Sequence, residues 1–367
     1  MVVTVGRASV AGPVPPTPCP SCGWPADPGD NFCEACREPL ASVRETVATV
    51  ISGSAHGRAG SCPFCPAAGV SVDGYCESCG RKLPSDRDHC ELDLGMVAGV
   101  TDRGLRHSRN EDAMALAVAR LVTGPMLVMA VCDGVSGSPR PDDASRAAAQ
   151  ALVRVTVDML RTGADPGDAS TRAVESAREA LARLGHSAAD APAATFVSAV
   201  VTGQEVTLCW LGDSRGYWLG SAPQRLTTDD SAAAELVAAG LATEAEALAT
   251  PQAHVVTRWL GADLTEAQPH LARFRPPGPG VLLLCSDGLW NYQPDAAELA
   301  RLALPAALTD PLAAAVTLTR FALDAGGSDN VTVALVPFPL ASYDEPDAAP
   351  GGELGHATGD AYRAGPA

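Results

Sequence analysis

Three apolar runs in this 367-residue chain each meet an aspartate at one end. Asp133 follows the run MLVMAVC, Asp287 follows VLLLCS, and Asp329 with Asn330 leads into VTVALV. Such runs are typical of buried strands, and an aspartate at a strand end often marks only a tight turn. Three of them together predict carboxylates that converge on one edge of a sheet. Oxygen ligands of this kind suit Mg²⁺ or Mn²⁺ rather than Zn²⁺.

The composition indicates a globular, acidic protein. Hydrophobic residues make up 46% of the chain and charged residues 19%, and the formal net charge is −17. Free nucleic acid is therefore not expected to bind the molecule as a whole, because phosphate binding depends on Lys and Arg. There is no apolar stretch of membrane-spanning length, and the N-terminus lacks the pattern of a secretory signal, so we expect a cytoplasmic protein.

The cysteines near the N-terminus follow an internal repeat. Two Cys-x-x-Cys pairs recur 43 positions later with similar flanks, CPSC against CPFC and FCEAC against YCESC. Two such pairs complete a tetrahedral Cys₄ site, whereas a redox motif or a disulfide framework lacks the expected context here. The pattern predicts two structural Zn²⁺ ions in two small ribbons, with the ligands Cys19, Cys22, Cys33, Cys36, Cys62, Cys65, Cys76 and Cys79.

These features divide the chain into segments. We expect disorder over residues 1–18, zinc ribbons over 19–40 and 62–84 with a linker at 41–61, a catalytic domain over 92–338, and a disordered acidic tail over 342–367. Within the catalytic domain, strands alternate in blocks with pairs of long helices, which favours an α+β sandwich with antiparallel sheets. The expected helices include one over 142–161, with Asp142 or Asp143 as its N-cap, one over 231–249 and one over 311–324.

Between residues 94 and 336, several motifs occur in a fixed order: TDRGLRHSRNEDA, VCDGVSG, LGDSRGYWL, LTTDDS, CSDG and SDN. In order and spacing they resemble the bacterial type of the metal-dependent serine/threonine protein phosphatases of the PP2C, or PPM, family. The resemblance implies a four-layer α-β-β-α sandwich, in which two antiparallel sheets are flanked by helices and the metal ions lie at one end.

The resemblance also implies roles for individual residues. Asp133 would bridge two Mn²⁺ or Mg²⁺ ions, the Gly134 carbonyl would bind the first, and Asp287 and Asp329 the second. A water or hydroxide between the ions would be the nucleophile. Glu111 and Asp112 would hold metal-bound waters, and Asp190 is the candidate ligand for a third ion.

Some positions depart from the family pattern. The slot of the phosphate-binding arginine holds His107, which could instead donate a proton to the leaving group or be an ordinary surface histidine. Arg106 and Arg109 flank it and could supply the guanidinium. Ser136 replaces a glycine of the turn, and Asp230 stands where a histidine is usual. Asp213 and Arg215 are interpreted as structural, with Asp213 ordering a turn and Arg215 pairing with a carboxylate.

The predicted function is therefore hydrolysis of phosphoserine and phosphothreonine on proteins. The substrates would be phosphoproteins of a pathway that includes a serine/threonine kinase, and the zinc ribbons would bind a partner or localise the enzyme. The ribbons contain few basic residues, which favours a protein partner over nucleic acid. The alternative is an adaptor, a pseudophosphatase that binds phosphoprotein with weak turnover or none.

Overall fold

The computed structural model describes residues 17–18, 22–26, 34–36, 46–49, 77–78, 87–121, 124–185, 192–250, 253, 255–261 and 268–340. Its strands are β1 Thr17–Pro18, β2 Pro25–Ala26, β3 Thr46–Thr49, β4 His89–Asp93, β5 Ala98–Asp102, β6 Asp112–Leu121, β7 Gly124–Gly134, β8 Ala193–Thr202, β9 Glu205–Leu211, β10 Arg215–Gly220, β11 Gln224–Arg225, β12 Leu260–Gly261, β13 His270–Phe274, β14 Gly280–Cys285 and β15 Val331–Phe338.

The helices comprise two long pairs and three short elements. They are α1 Pro141–Arg161, α2 Pro166–Leu184, α3 Ala232–Ala238, α4 Glu244–Leu248, α5 Asp287–Trp290, α6 Ala296–Ala307 and α7 Pro311–Asp324. In the part of the chain that the structure describes, no helix is long and apolar enough to cross a membrane.

The strands form two large antiparallel sheets. One has the order β11-β10-β14-β15-β5-β4 and the other the order β13-β9-β8-β7-β6-β3, with β12 paired to β8. Three apolar clusters hold the layers together. One lies between α1, α2 and the second sheet, one between the two sheets, and one between the first sheet and α6 with α7. The predicted four-layer α-β-β-α arrangement is confirmed.

Two helical regions differ from expectation. The sequence predicts Asp142 or Asp143 as the N-cap of α1, but the N-cap is Arg140, since Pro141 already occupies the first helical turn. The single helix predicted over residues 231–249 is divided into α3 and α4, because the chain turns at Gly240 with a φ of 68° before Thr243 caps the second helix.

The N-terminal segments lie mostly outside the described residues. Strands β1 and β2 form a two-residue antiparallel ladder that encloses the first Cys-x-x-Cys pair. Strand β3 lies within the stretch predicted to be a linker and pairs with β6 over four residues, so that β3 forms an edge of the second sheet. The predicted tail at 342–367 is outside the described residues, and the proposed domain limits remain predictions.

Candidate active site

Strand pairing brings the first two carboxylates side by side. Asp112 opens β6 and lies opposite Asp133 near the end of β7, which in turn lies opposite Thr195 on β8. In an antiparallel pair, directly opposed side chains on one face are close neighbours. Asp112 is buried and Asp133 is partly buried, so the register of the sheet places two acids together in an environment of reduced solvation.

The other sheet contributes Asp287 and Asp329. Asp287 opens α5 directly after β14, and Asp329 precedes β15. The hydroxyl of Ser286 donates to Asp112 Oδ2 at 2.7 Å and accepts from the Thr332 amide at 2.9 Å. Ser286 therefore links the two sheets at this edge and fixes one oxygen of Asp112.

Asn330 adds a second link between the sheets. Its Oδ1 accepts from the Glu111 amide at 2.7 Å, while its amide nitrogen donates to the carbonyls of Arg103, at 2.7 Å, and Arg109, at 3.1 Å. The side chain is nearly fully buried, with 3% exposed. These bonds hold the loop that carries Glu111 and Asp112 against the start of β15.

The carboxylates raise one another's pKa values. Burial, followed by the charges of Asp112 and Asp287, raises the pKa of Asp133 well above its usual range. Burial and the charges of Asp213 and Asp329 do the same for the pKa of Asp287. Burial raises the pKa of Asp112 to about 7, against the opposing hydrogen bond from Ser286. The predicted convergence of strand-end aspartates is thus seen in their electrostatics.

Asp213 is a member of this cluster that the sequence interpretation treated as structural. It is buried, and burial followed by the charge of Asp229 raises its pKa to about 7. It also raises the pKa of both Asp133 and Asp287. A signal was present in the sequence, because Asp213 follows the apolar strand β9 after one glycine, which repeats the pattern of the other aspartates.

The cluster has features that fit a divalent cation. Asp112 Oδ1 and Asp287 Oδ1 are buried and have no hydrogen-bond partner among the described residues. A buried carboxylate oxygen without a donor is costly unless a cation accompanies it. Among the described residues, no three Asp, Glu, His or Cys side chains by themselves form a group that could enclose a metal ion.

Glu111 is held by two donors. Arg109 Nε donates to its Oε1 at 2.7 Å, and Ser136 Oγ donates to its Oε2 at 2.6 Å. Its carbonyl accepts from the Gly134 amide at 3.0 Å. The serine that departs from the family pattern therefore orients Glu111, and Glu111 orients Arg109.

The three basic side chains predicted to contact the phosphate or the leaving group lie in different settings. His107 Nε2 is 3.2 Å from Asp329 Oδ1, so it pairs with one of the cluster acids. Arg109 is fixed on Glu111, and its remaining guanidinium edge is partly exposed. Arg106 is exposed on the loop and forms no ion pair with any residue that the structure describes. Of the three, Arg109 and His107 lie against the site.

A buried ion pair supports the loop that carries Asp213. Arg215 and Asp229 are joined by bonds of 3.0 Å from Nε to Oδ1 and 2.7 Å from Nη2 to Oδ2. The Arg215 guanidinium lies 3.6 Å from the centre of the Trp290 ring, whose indole nitrogen donates to the Asp213 carbonyl at 2.9 Å. The predicted pairing of Arg215 with a carboxylate is present.

Two predicted groups fall outside the described residues. They are the candidate third-ion ligand Asp190 and all the zinc-ligand cysteines except Cys22 and Cys36. Both predictions therefore remain untested by the geometry.

Comparison with known proteins agrees with the fold. Residues 103–307 match the family model described as protein phosphatase 2C. The chain is 32% identical over 258 residues to protein phosphatase PhpP of Streptococcus pneumoniae. The aligned region covers 69% of this chain and 99% of PhpP.

Solved structures of PstP give the same result. The serine/threonine phosphatase PstP/Ppp of Mycobacterium tuberculosis superposes with a TM-score of 0.55 at 30% identity, covering 66% of this chain and 97% of that one. A second structure, the catalytic domain of PstP in complex with two manganese ions, has a TM-score of 0.54 at 27% identity. The match covers 66% of this chain and 96% of that domain. With the shared fold, the acidic edge and the matched family model, this chain belongs to the protein phosphatase 2C family of serine/threonine phosphatases.

Proposed function

We propose that this chain hydrolyses phosphoserine and phosphothreonine on proteins, using Mn²⁺ or Mg²⁺ held by the carboxylates at the sheet edge. The observation that carries the proposal is the meeting of Asp112, Asp133, Asp213 and Asp287 from both sheets, with two buried oxygens that lack donors. Such a cluster is unfavourable without cations, and hard divalent ions prefer carboxylate oxygen.

The proposed ligands are Asp133, Asp287, Asp329 and the carbonyl of Gly134, with Asp213 as a further oxygen donor. When bound, the two cations would acidify a water molecule for attack and neutralise charge on the phosphoryl oxygens. Asp112, held by Ser286, and Glu111, held by Arg109 and Ser136, would orient water at the site. Asp190 remains a candidate for a third ion.

Arg109 is the side chain that we propose to receive the substrate phosphate. Its Nε is used by Glu111, and a guanidinium has five N–H donors, so a second edge can face an anion. His107 pairs with Asp329 at 3.2 Å and is the proposed contact between the phosphate-binding loop and the metal ligands. Arg106, exposed on the same loop, would contact the peptide outside the phosphate.

The test is release of phosphate from a phosphothreonine peptide by the full chain, with and without Mn²⁺. We expect metal-dependent turnover that falls at least about a hundredfold in Asp287→Asn, because loss of a charge-stabilising group in a desolvated site costs on that scale. Asp324→Asn, an exposed aspartate at the end of α7, is the matched control and should keep full activity. Turnover that is unchanged in Asp287→Asn would contradict the proposal.

A second candidate function rests on the same histidine. Because His107 occupies the arginine position and is engaged by Asp329, a domain that binds phosphoprotein without efficient turnover is the alternative. Tight binding of the phosphopeptide, with no phosphate released in Mn²⁺ or Mg²⁺ by folded protein, would favour the adaptor.

The N-terminal region is proposed to hold two structural Zn²⁺ ions on its eight repeated cysteines and to bind a partner or fix the location of the enzyme. The first Cys-x-x-Cys pair lies in the sequence between β1 and β2, and the pairing of these two strands supports a hairpin of the kind that presents both thiolates to one ion. A serine/threonine kinase is the proposed source of the phosphoprotein substrates, and a cytoplasmic location fits cysteines that serve as zinc ligands.

A further inference from the structure

Four arginines surround two aspartates at the start of α1. Asp142 is paired with Arg87 at 3.2 Å and lies 3.8 Å from Arg109, while Asp143 is paired with Arg140 at 2.7 Å and with Arg146. The four basic groups come from three separate parts of the chain. The arginines are close enough to affect one another electrostatically. Burial lowers the pKa of Arg146 most, and the positive charges of Arg87 and Arg140 lower it further.

Three of the four arginines face solvent, whereas Arg146, with 16% of its side chain exposed, lies beneath them with the aspartates. The side chains of Arg87, Arg109 and Arg140 are 43%, 45% and 53% exposed, whereas those of Asp142 and Asp143 are 21% and 25% exposed. The carboxylates thus hold the guanidinium groups in place while the outer surface remains cationic. In a chain with a net charge of −17, a local basic surface of this kind is unusual.

The backbone at Arg140 is strained. Its φ of 50° and ψ of 52° place it in the left-handed region, and it is the only non-glycine residue with a positive φ among those that the structure describes. A non-glycine residue is disfavoured in this conformation and persists where surrounding contacts hold it. Here Arg140 donates to Asp143 at 2.9 Å and to the Leu184 carbonyl at 3.2 Å.

This surface adjoins the proposed active site directly. The first residue of α1, Pro141, packs on Gly134 so closely that a Cβ on Gly134 would overlap the Pro141 carbonyl. Arg109 joins the two regions, because it donates to Glu111 and lies beside Asp142. A peptide whose phosphoresidue enters the site can therefore reach Arg87 and Arg140 with its neighbouring residues.

Resting on the proposed function, we propose that the surface formed by Arg87, Arg109 and Arg140, with Arg146 beneath it, binds anionic groups next to the scissile phosphoresidue, so that the preferred substrates are acidic phosphoprotein segments. The shared chemistry is an anion on the substrate chain, either a carboxylate of Asp or Glu or a second phosphate. Arginine suits both groups because its planar fork binds paired oxygens.

The test compares three phosphothreonine peptides. One has neutral flanking residues, one has glutamate flanks, and one carries a phosphoserine as a second phosphate. At low ionic strength we expect wild-type kcat/KM to be about three- to tenfold higher for an anionic peptide than for the neutral one, and the preference to shrink with added salt. The peptide that shows the preference identifies the anion. In Arg87→Gln/Arg140→Gln the preference should disappear while turnover of the neutral peptide is kept.

The matched control is Arg172→Gln/Arg301→Gln, which changes the net charge equally by removing two exposed arginines on α2 and α6. It should keep the preference. If the loss of the Arg140 contacts unfolds the double variant, Arg87→Gln alone should reduce the preference by about half on a logarithmic scale.

A binding experiment separates this inference from the proposed function. Binding of the fluorescently labelled neutral and anionic peptides to the chelator-treated full chain is followed by fluorescence anisotropy. Tighter binding of an anionic peptide that is lost in the arginine variants supports the surface even if turnover is absent. Equal kcat/KM for all three peptides in wild type, or a preference that survives in Arg87→Gln/Arg140→Gln, overturns it.

Discussion

The acidic residues at the sheet edge are individually unfavourable for the folded protein. Asp112 is a buried acid opposite Asp133, and burial raises its pKa to about 7. A raised carboxylate pKa means that the folded state resists ionisation, so this group destabilises the metal-free protein at neutral pH. Natural proteins tolerate such a cost mainly at functional sites.

We therefore expect Asp112→Asn to stabilise chelator-treated protein while impairing phosphate release. Above pH ~7 the free energy of unfolding should be about 1–3 kcal/mol higher in the variant, because the wild type then carries an ionised, buried Asp112. As pH falls from ~7 to ~4, Asp112 becomes protonated in the folded state and then in the unfolded state, so the difference should vanish. Urea unfolding of both proteins from pH 4 to 8 measures it. A gain that does not change with pH would show that the ionisation of Asp112 is not the cause.

Single elements set the positions of these side chains through close backbone contacts. The turn from β14 into α5 carries Asp287, and the next residue, Gly288, lies against the backbone of Asn330, where a Cβ would overlap the Asn330 carbonyl. Only a residue without a side chain allows this approach of the turn to β15. Gly288 thus determines how near Asp287 lies to Asp329.

Gly288→Ala should accordingly lower the free energy of unfolding by about 2–3 kcal/mol, because the overlap is with backbone and cannot be relieved by a rotamer change. It should also weaken Mn²⁺ binding, which can be followed by calorimetry on the full chain. Gly278→Ala provides the control, since a Cβ at Gly278 would meet no atom within 4 Å. Equal unfolding midpoints for the two variants would contradict this account of the turn.

At the scale of the whole molecule, two kinds of metal site would have separate tasks. The sandwich has its own apolar clusters between each pair of layers and needs no zinc to fold. Small Cys₄ ribbons have little apolar core and depend on their metal for folding. Strand β3, between the two cysteine repeats, pairs with β6 at the edge of the catalytic sheet.

Elemental analysis of the purified full chain should find about two zinc ions per molecule, as two Cys₄ sites require. Cys62→Ser/Cys65→Ser should lower this to about one, while phosphate release from the peptide stays within about twofold because the catalytic ligands are untouched. Cys90→Ser, on β4 outside the repeat, should keep both ions. Full-length protein that contains no zinc, with its repeated cysteines oxidised, would refute the ribbons.

The apolar runs and their terminal aspartates were sufficient to predict strands, an antiparallel sandwich and three acids at one edge, since burial patterns and turn residues are local signals. The limits of α7 were predicted at Pro311 and Asp324 because proline and an aspartate cap mark its start. The sequence alone also identified the phosphatase resemblance and the cysteine repeat. These features depend on residues that lie near one another in the chain.

Only the tertiary structure decided which side chains meet across the fold. Asp213 joins the acidic cluster because strand β9 ends at the same edge, Ser136 binds Glu111, and Arg87 pairs with Asp142 at the start of α1. Arg140 replaced the predicted aspartate as N-cap because contacts with Asp143 and Leu184 hold a backbone conformation that local preference disfavours. Such interactions join residues far apart in the chain, so their free energy depends on distances that no local pattern contains.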